Sequence, residues 1–554
     1  MKKSAKLYSS LFAAIVLTAG SFVPSAKAET LEMKQIISQL QQQSESQPLT
    51  SKAFTAQTAV TEVTYKRQIQ GNQLHKYVFK TNGGSFEVNA LHSDNDGLDC
   101  FVYNFDTAET IDPSSTGALD LPPGTYVLVV INNTNGALDY EYKVNGPFSE
   151  QPDLTMPSLQ VTSPTANDVR LAKGSSKVFL FSGKSDSNNL SIGSITDEIN
   201  ITSPGVFQQN VPLRNGFNQF TLTASVNSGN AVMAFYSINL PGISRLQGKD
   251  RYEVSSNISK ELRLIGGNNS GTVIIAKGDV FSDALSGGPL AYSEDAPILL
   301  TASQGLPESV IEQIKQLKPE RAIILGGTGS VSTNVEAQLK SLGVAGIERI
   351  GGKDRFAVAA SVGERVSDTM ESDTAIIASG EVFPDALSAS SIAGPIGMPV
   401  LLVNSGVVPD AIQTFIKNHP NIENFIVVGG PATVKDSVIT QIKSLHAGAY
   451  VGRISGKDRY EVSINVAKYG IENFGMDLST AAFARGDLFP DALSGAAIAN
   501  YFMAPILLTT TNSLEPQVGS FLTEHSSEIN NFYIFGGTGS VSQNTENQLN
   551  NLIK

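Results

Sequence analysis

Six basic residues and six carboxylates recur at fixed positions in the second half of this chain. The segment Arg-hydrophobe-x-Gly-Lys-Asp-Arg-aromatic is written at Arg245 to Tyr252, Arg349 to Phe356 and Arg453 to Tyr460, and its aspartates (Asp250, Asp354, Asp458) stand 104 residues apart. The pairs Lys249/Arg251, Lys353/Arg355 and Lys457/Arg459 have the chemistry to hold phosphate or carboxylate groups, arginine through its bidentate fork. The aspartate between them could orient the arginine. The same residues could instead cap and brace the helix that follows, a side-chain carboxylate at a helix start stabilising by about 1 kcal/mol. The two readings are compatible if arginine binds while aspartate caps.

A second segment, Phe-x-Asp-Ala-Leu-Ser, follows each time, at Phe281, Phe383 and Phe489. Its aspartates, Asp283, Asp385 and Asp491, come just after a strand, where α/β domains place functional residues. They also sit where a helix N-cap is expected, with Pro384 and Pro490 before two of them, and capping is the expected role. Pro297, Pro399 and Pro505 then open apolar runs (Ile298-Leu299-Leu300 in the first copy) and are expected to pack between repeats. Gly326-Gly327-Thr328-Gly329-Ser330 lies between a strand and a helix, but Ser332 occupies the third glycine place of a dinucleotide fingerprint and no Walker lysine follows. The second copy, Gly429-Gly430-Pro431-Ala432, departs further. A tight turn is the better reading, though its amides could still meet an anion. Asp94-x-Asp96-Gly97-x-Asp99 resembles a calcium loop without the glutamate at position twelve, where Phe105 stands; the alternative is a solvated turn.

Catalysis is poorly provisioned. The five histidines (His75, His92, His419, His446, His525) form no zinc spacing and fall outside the shared segments. No Gly-x-Ser-x-Gly elbow occurs. Ser286, Ser388 and Ser494 recur without a companion histidine, and Cys100, the sole cysteine, is expected to be buried and structural.

The elements that carry these residues alternate. Thr272 to Ala276 is a buried-type strand, Asp283 to Ser293 helical by period, Pro297 to Leu300 a second strand, Glu308 to Leu317 an amphipathic helix, Ala322 to Leu325 a third strand and Val335 to Leu342 another helix. Such alternation predicts a parallel sheet covered on both faces. A period of this length suits tandem domains of roughly 50–250 residues rather than a solenoid. Three surfaces bearing the same polar residues favour multivalent binding over single-site catalysis.

Upstream the character changes. Residues 61–147 read as an all-β sandwich, with strand-like Tyr77-Val78-Phe79, Phe101-Val102-Tyr103 and Tyr126 to Ile131. Residues 158–241 read as a second, immunoglobulin-like sandwich. Residues 29–60 are a polar linker with one short helix at Leu31, Ile36, Ile37 and Leu40. Residues 1–28 have the pattern of an export signal: Lys2, Lys3 and Lys6, an apolar run from Leu11 to Ala19, and Ala26-Lys27-Ala28, with cleavage expected after Ala28. The apolar run is too short to span a membrane, which takes about 20 residues. A lone cysteine allows no intrachain disulfide. The formal charge of −13, made more negative by loss of the leader's lysines, disfavours nucleic acid and anionic membranes as partners.

The repeated segments together resemble the type-2 cell-wall-binding repeat family of Gram-positive surface proteins, over residues 245–348, 349–452 and 453–554. That resemblance implies a Rossmann-like α/β unit per repeat, three units around a pseudo-threefold axis, and non-covalent attachment to an anionic secondary wall polymer. Residues 61–147, through His75 to Phe79, the aspartate-rich turn and Pro123 to Val129, resemble the bacterial pre-peptidase C-terminal domain, in which calcium occurs. Proteins of the repeat family often carry a wall amidase or peptidase domain, and no unassigned stretch here is long enough for one. The expected protein is therefore a non-catalytic, secreted wall-associated chain, anchored to an anionic polymer or to peptidoglycan, with its β-domains presented outward. The alternatives are a hydrolase or a modifier of one, and a surface-layer or adhesive protein. The second copy, with Ser379-Gly380-Glu381 in place of Lys277-Gly278-Asp279 and Arg485-Gly486-Asp487, puts equal function of the three repeats in question.

Overall fold

Runs such as Thr272–Lys277 and Ile298–Thr301 are apolar on both faces, and in the structure both faces are covered. The computed structural model describes residues 60–553 apart from loop positions 94–96, 105–108, 112–118, 135, 195–196, 202–203, 269, 282 and 477. The expected export leader, the helix near residue 36, and Asp94 and Asp96 lie outside the described residues. The chain divides into two units, one of β segments through Asn239 and one from Leu240 onward.

In the β unit, alternating residues place aromatic side chains between facing strands. Val60–Ile69 pairs with Leu138–Phe148, which also pairs with Gly84–Ser93. Gln73–Thr81 pairs with Gly124–Asn132, and that strand with Leu98–Asn104. Tyr65 meets Tyr77 with ring centroids 4.7 Å apart, and Phe79 stacks on Tyr126 at 5.7 Å. Cys100 is half-buried rather than buried.

The two β segments are not separate sandwiches. Ala231–Leu240 pairs antiparallel with Gln73–Thr81 (Ala231 opposite Lys76, Met233 opposite Leu74), so one sheet runs through both. Asn230 ties the intervening chain to this joint: its amide donates to the Asp153 and Thr155 carbonyls at 2.7 and 3.0 Å and accepts from the Val78 amide at 2.8 Å. His75 and Lys76 are buried at this joint. His75 Nδ1 lies 2.8 Å from Tyr140 Oη, which lies 2.5 Å from Tyr77 Oη. Burial, with the Arg67 charge adding to it, pushes the imidazole down to about 3. Burial pushes the Lys76 ammonium down to about 8.

In the repeat unit, three four-stranded parallel sheets follow one plan. The first runs Ile298–Thr301, Thr272–Lys277, Arg321–Leu325, Gly346–Ile350. The second runs Val400–Val403, Thr374–Ser379, Asn424–Val428, Tyr450–Ile454. The third runs Ile506–Thr509, Thr480–Arg485, Asn531–Phe535, Gly242–Leu246. The fourth strand of each sheet carries the opening arginine of another copy: Arg349 completes the first sheet, Arg453 the second, and Arg245 returns to complete the third. The sheets are therefore linked in a closed cycle. Sequence periodicity yields three strands per copy, because the fourth is half-exposed (Gly346–Ile350 has only Ile350 buried).

Three helices, Gly287–Ser293, Pro384–Ala393 and Pro490–Tyr501, pack against one another at the centre. All ten residues of Pro384–Ala393 are buried, the polar Asp385, Ser388, Ser390 and Ser391 among them. Small residues set the approach: a Cβ on Gly288 would run into Ser390 Oγ and come within 3.2 Å of the Ala496 Cβ. Asn500 cross-links the group, accepting from the Gly394 amide at 3.1 Å and donating to the Ser390 carbonyl at 3.0 Å.

Candidate functional site

Helices Arg251–Leu264, Arg355–Thr369 and Arg459–Phe474 begin at the repeated Gly-Lys-Asp-Arg. The aspartates are their N-caps. Asp250 Oδ1 accepts from the Tyr252 and Glu253 amides at 3.0 and 2.9 Å, and Asp354 and Asp458 do the same in their copies. Glu253 and Glu461 add a reciprocal bond to the Lys249 and Lys457 amides at 2.9 and 2.7 Å, an arrangement close to a capping box. Ala357 holds that place in the second copy and cannot form it. Lys249, Lys353 and Lys457 are exposed.

Capping frees the aspartate from any duty to the arginine, and each arginine turns elsewhere. Arg251, Arg355 and Arg459 donate through Nη1 to the carbonyls of Gly278, Gly380 and Gly486 at 2.7, 2.5 and 2.6 Å. These glycines follow the central strand of each sheet. The order of strands reverses beside that strand, the position at which open parallel sheets gather ligands. The guanidinium then reaches across a repeat boundary. Arg251 Cζ lies 5.9 Å from the centre of the Phe489 ring, and Arg355 Cζ 5.7 Å from that of Phe281, within cation–π range. Arg459 acts electrostatically on Asp385 of the second copy.

Phe281, Phe383 and Phe489 come together, their centroids 5.9, 5.4 and 5.8 Å apart. Arg251 and Arg355 stand against two rings of this triangle. The sequence gives no sign of the meeting, because the partners lie in different copies.

Asp283, Asp385 and Asp491 do not cap. Phe383 and Phe489 hold the N-cap positions of their helices, without side-chain caps. Asp283 and Asp385 are buried. Each carboxylate accepts a hydroxyl from the loop after the paired glycines: Ser330 to Asp283 at 2.6 Å, Thr433 to Asp385 at 2.9 Å, Ser540 to Asp491 at 2.7 Å. Burial pushes the Asp385 carboxyl up, against the Thr433 bond and the Arg459 charge. Gly326, Gly429 and Gly536 have φ of 99°, 119° and 102°, and a Cβ on any of them would collide with the carboxylate. These turn glycines thus make room for a buried acid. The Gly326 amide is spent on the Ile350 carbonyl at 2.9 Å and the Ser330 amide on Gly327 at 2.9 Å, so neither is offered to an anion.

Arg245, Arg349 and Arg453 brace the closing strands. Arg245 Nε donates to Glu546 at 2.8 Å and Nη1 to the Gly536 carbonyl at 3.0 Å. Arg349 pairs with Glu336, and Arg453 with Asp436 at 2.9 Å. Pro297, Pro399 and Pro505 accept in the sheets, their carbonyls taking the Ile274, Ile376 and Ala482 amides at 2.9 Å.

Ser286, Ser388 and Ser494 are buried, and Ser388 donates to the Pro384 carbonyl at 3.2 Å. His419 stacks on Phe415 and pairs with Glu364 at 3.2 Å; His525 pairs with Glu528 at 3.1 Å. Asp99 accepts from Asn133 at 2.6 Å. Among the described residues no three His, Cys, Asp or Glu are grouped to hold a metal, and no helix is long and apolar enough to cross a membrane.

The model of cell wall binding domain 2 matches residues 245–336, 349–439 and 453–546, together half of the chain. The N-acetylmuramoyl-L-alanine amidase LytC of Bacillus subtilis is 32% identical over 311 residues, which cover 56% of this chain and 58% of that protein. The amidase enhancer of the same organism is 30% identical over 318 residues, covering 57% and 41%. The chain thus spans about half the length of these curated relatives. Among solved structures, Cwp6 from Clostridium difficile has a TM-score of 0.54 at 22% identity, covering 72% of this chain and 68% of its own. Cwp8 from the same organism has a TM-score of 0.50 at 17% identity, covering 100% and 98%. These likenesses concern the fold: a β-rich N-terminal region followed by α/β repeats. With three copies matched at the positions of its repeated motif, the chain belongs to the cell wall binding domain 2 family.

Proposed function

We propose that this protein is a non-catalytic, exported chain held on the Gram-positive cell wall, its three repeats binding an anionic wall polymer and its β unit left for other contacts. The observation that carries the reading is the recurrence of Arg251, Arg355 and Arg459, half-buried or exposed, beside the strand ends of three family repeats on an acidic chain. A guanidinium that gives one nitrogen to a carbonyl keeps donors for an anionic group. Lys249, Lys353 and Lys457 lie next to them in sequence and add charge. We read the three units as Rossmann-like and related by a pseudo-threefold axis, a reading supported by the shared strand order and the triangle of phenylalanines. Binding of the purified chain to isolated walls, before and after acid extraction of their secondary polymers, tests the proposal. Retention that vanishes with extraction is expected. Retention that survives would move the ligand to peptidoglycan, and absence of retention would reject the reading.

A second reading is favoured by the similarity to an amidase enhancer: the chain modifies a wall hydrolase. A zymogram of the chain alone is expected to show no clearing band. A changed rate when it is mixed with a wall amidase would establish the modifier role.

A further inference from the structure

We infer that the three repeats build one ligand site rather than three, centred on Phe281, Phe383 and Phe489, and that it seats one anionic saccharide residue. The inference rests on the wall-polymer reading and deepens it.

The first ground is the crossing of boundaries. Arg251 stands over the ring of Phe489, Arg355 over that of Phe281, and Arg459 acts on Asp385. The arginines of the first two repeats therefore stand over a phenylalanine of another repeat, so the contacts that build the cluster cross repeat boundaries. The second ground is apolar exposure at one recurring position. The residue before each phenylalanine is Val280, Val382 or Leu488, and these are 38%, 40% and 48% exposed. The phenylalanines themselves are only partly covered. An exposed apolar patch rimmed by polar groups marks an interaction surface.

The third ground is charge. Of the acidic residues two positions before the phenylalanines, Asp487 is held by its own Arg485, with Nη2 at 2.7 Å, and Glu381 accepts the Ser405 amide at 3.2 Å. Asp279 takes the Tyr252 hydroxyl at 3.2 Å and stands 3.8 Å from Arg251. Asp487 and Asp385 both act on Arg459, so the guanidinium of Arg355 is the less neutralised part of the rim. An apolar centre with a cationic rim matches a sugar ring that offers its C–H face inward and a phosphate or carboxylate substituent outward.

Titration calorimetry of the full chain tests this, with short oligosaccharides of acid-released anionic wall polymer as probe and dextran and inorganic phosphate as controls. The expected result is one oligosaccharide per chain, no heat from dextran, and weak competition by phosphate. Arg355→Gln should weaken the whole of the binding by about tenfold or more, the worth of one charge-assisted hydrogen bond. Val382→Asp, at an exposed position that leaves the core intact, should do the same with an unchanged unfolding midpoint. Three equivalents per chain, or a variant that keeps two sites of unaltered affinity, would overturn the single site while leaving wall binding in place. Phosphate competing as well as the oligosaccharide would overturn the saccharide assignment, as would a chain that binds walls but not the probe. A chain that binds neither would overturn the wall reading as well.

Discussion

Asp250, Asp354 and Asp458 show how one residue type can look like ligand chemistry and serve as structure. Their carboxylates end two orphan amides each, and removing one should cost about 1 kcal/mol. Asp458 also accepts from Gln517 Nε2 at 2.9 Å, so Asp458→Ala should lower stability more than Asp354→Ala in urea unfolding of the full chain. The buried joint of the β unit predicts a pH dependence. An unfolded histidine titrates near ~6.5, whereas His75 is pushed down to about 3. Between those values the unfolded chain binds the extra proton, so the β unit should lose stability as pH falls, by at most ~1.4 kcal/mol per pH unit. Lys76, at about 8 when folded, makes stability rise with pH from about 8 toward its unfolded value of ~10.4. Replacing His75 by Gln should flatten the acid arm of a stability–pH curve followed by near-ultraviolet circular dichroism.

The closing strands are the elements the chain most depends on and advertises least. Arg245 is 11% exposed against a Glu546 that is 23% exposed, whereas the Asp436 partner of Arg453 is 79% exposed. Arg245→Ala should therefore cost about 2 kcal/mol by stranding a half-buried carboxylate, and Arg453→Ala less than about 1 kcal/mol. Amide exchange over Gly242–Leu246 should accelerate in the first variant. Comparable losses in both would count against the brace. The buried strands and the helix Glu308–Leu317 were legible in the sequence, because full burial and a 3.6-residue period leave marks in residue type. The strands carrying Arg245, Arg349 and Arg453 were not, being half-exposed and paired with another copy. Asp283 was misread as a cap because proximity to a helix start is visible in a sequence and a cavity opened by Gly326 is not. The arginine–phenylalanine contacts were invisible for a plainer reason: a repeat describes what each copy contains and says nothing of what the copies share.

At the scale of the molecule, the repeats form one folding unit. The helix Pro384–Ala393 is buried on every side by its neighbours. A fragment of residues 349–452 would expose that helix and cut through both the opening strand Gly346–Ile350 and the closing strand Tyr450–Ile454. It should show no cooperative thermal transition, while residues 240–554 should melt in one step by calorimetry. Independent melting of the single copy would contradict the shared core.

The cyclic linkage of sheets also bears on how such a gene can change. In an open array, unequal recombination can add or drop a copy and leave a longer or shorter protein that still folds. Here the final sheet is finished by Gly242–Leu246, from the first copy, and the middle is filled by three helices and three aromatic rings. A fourth copy would have no strand left to complete and no place at the centre. A lost one would leave a gap on both counts. Copy number is thereby fixed by geometry.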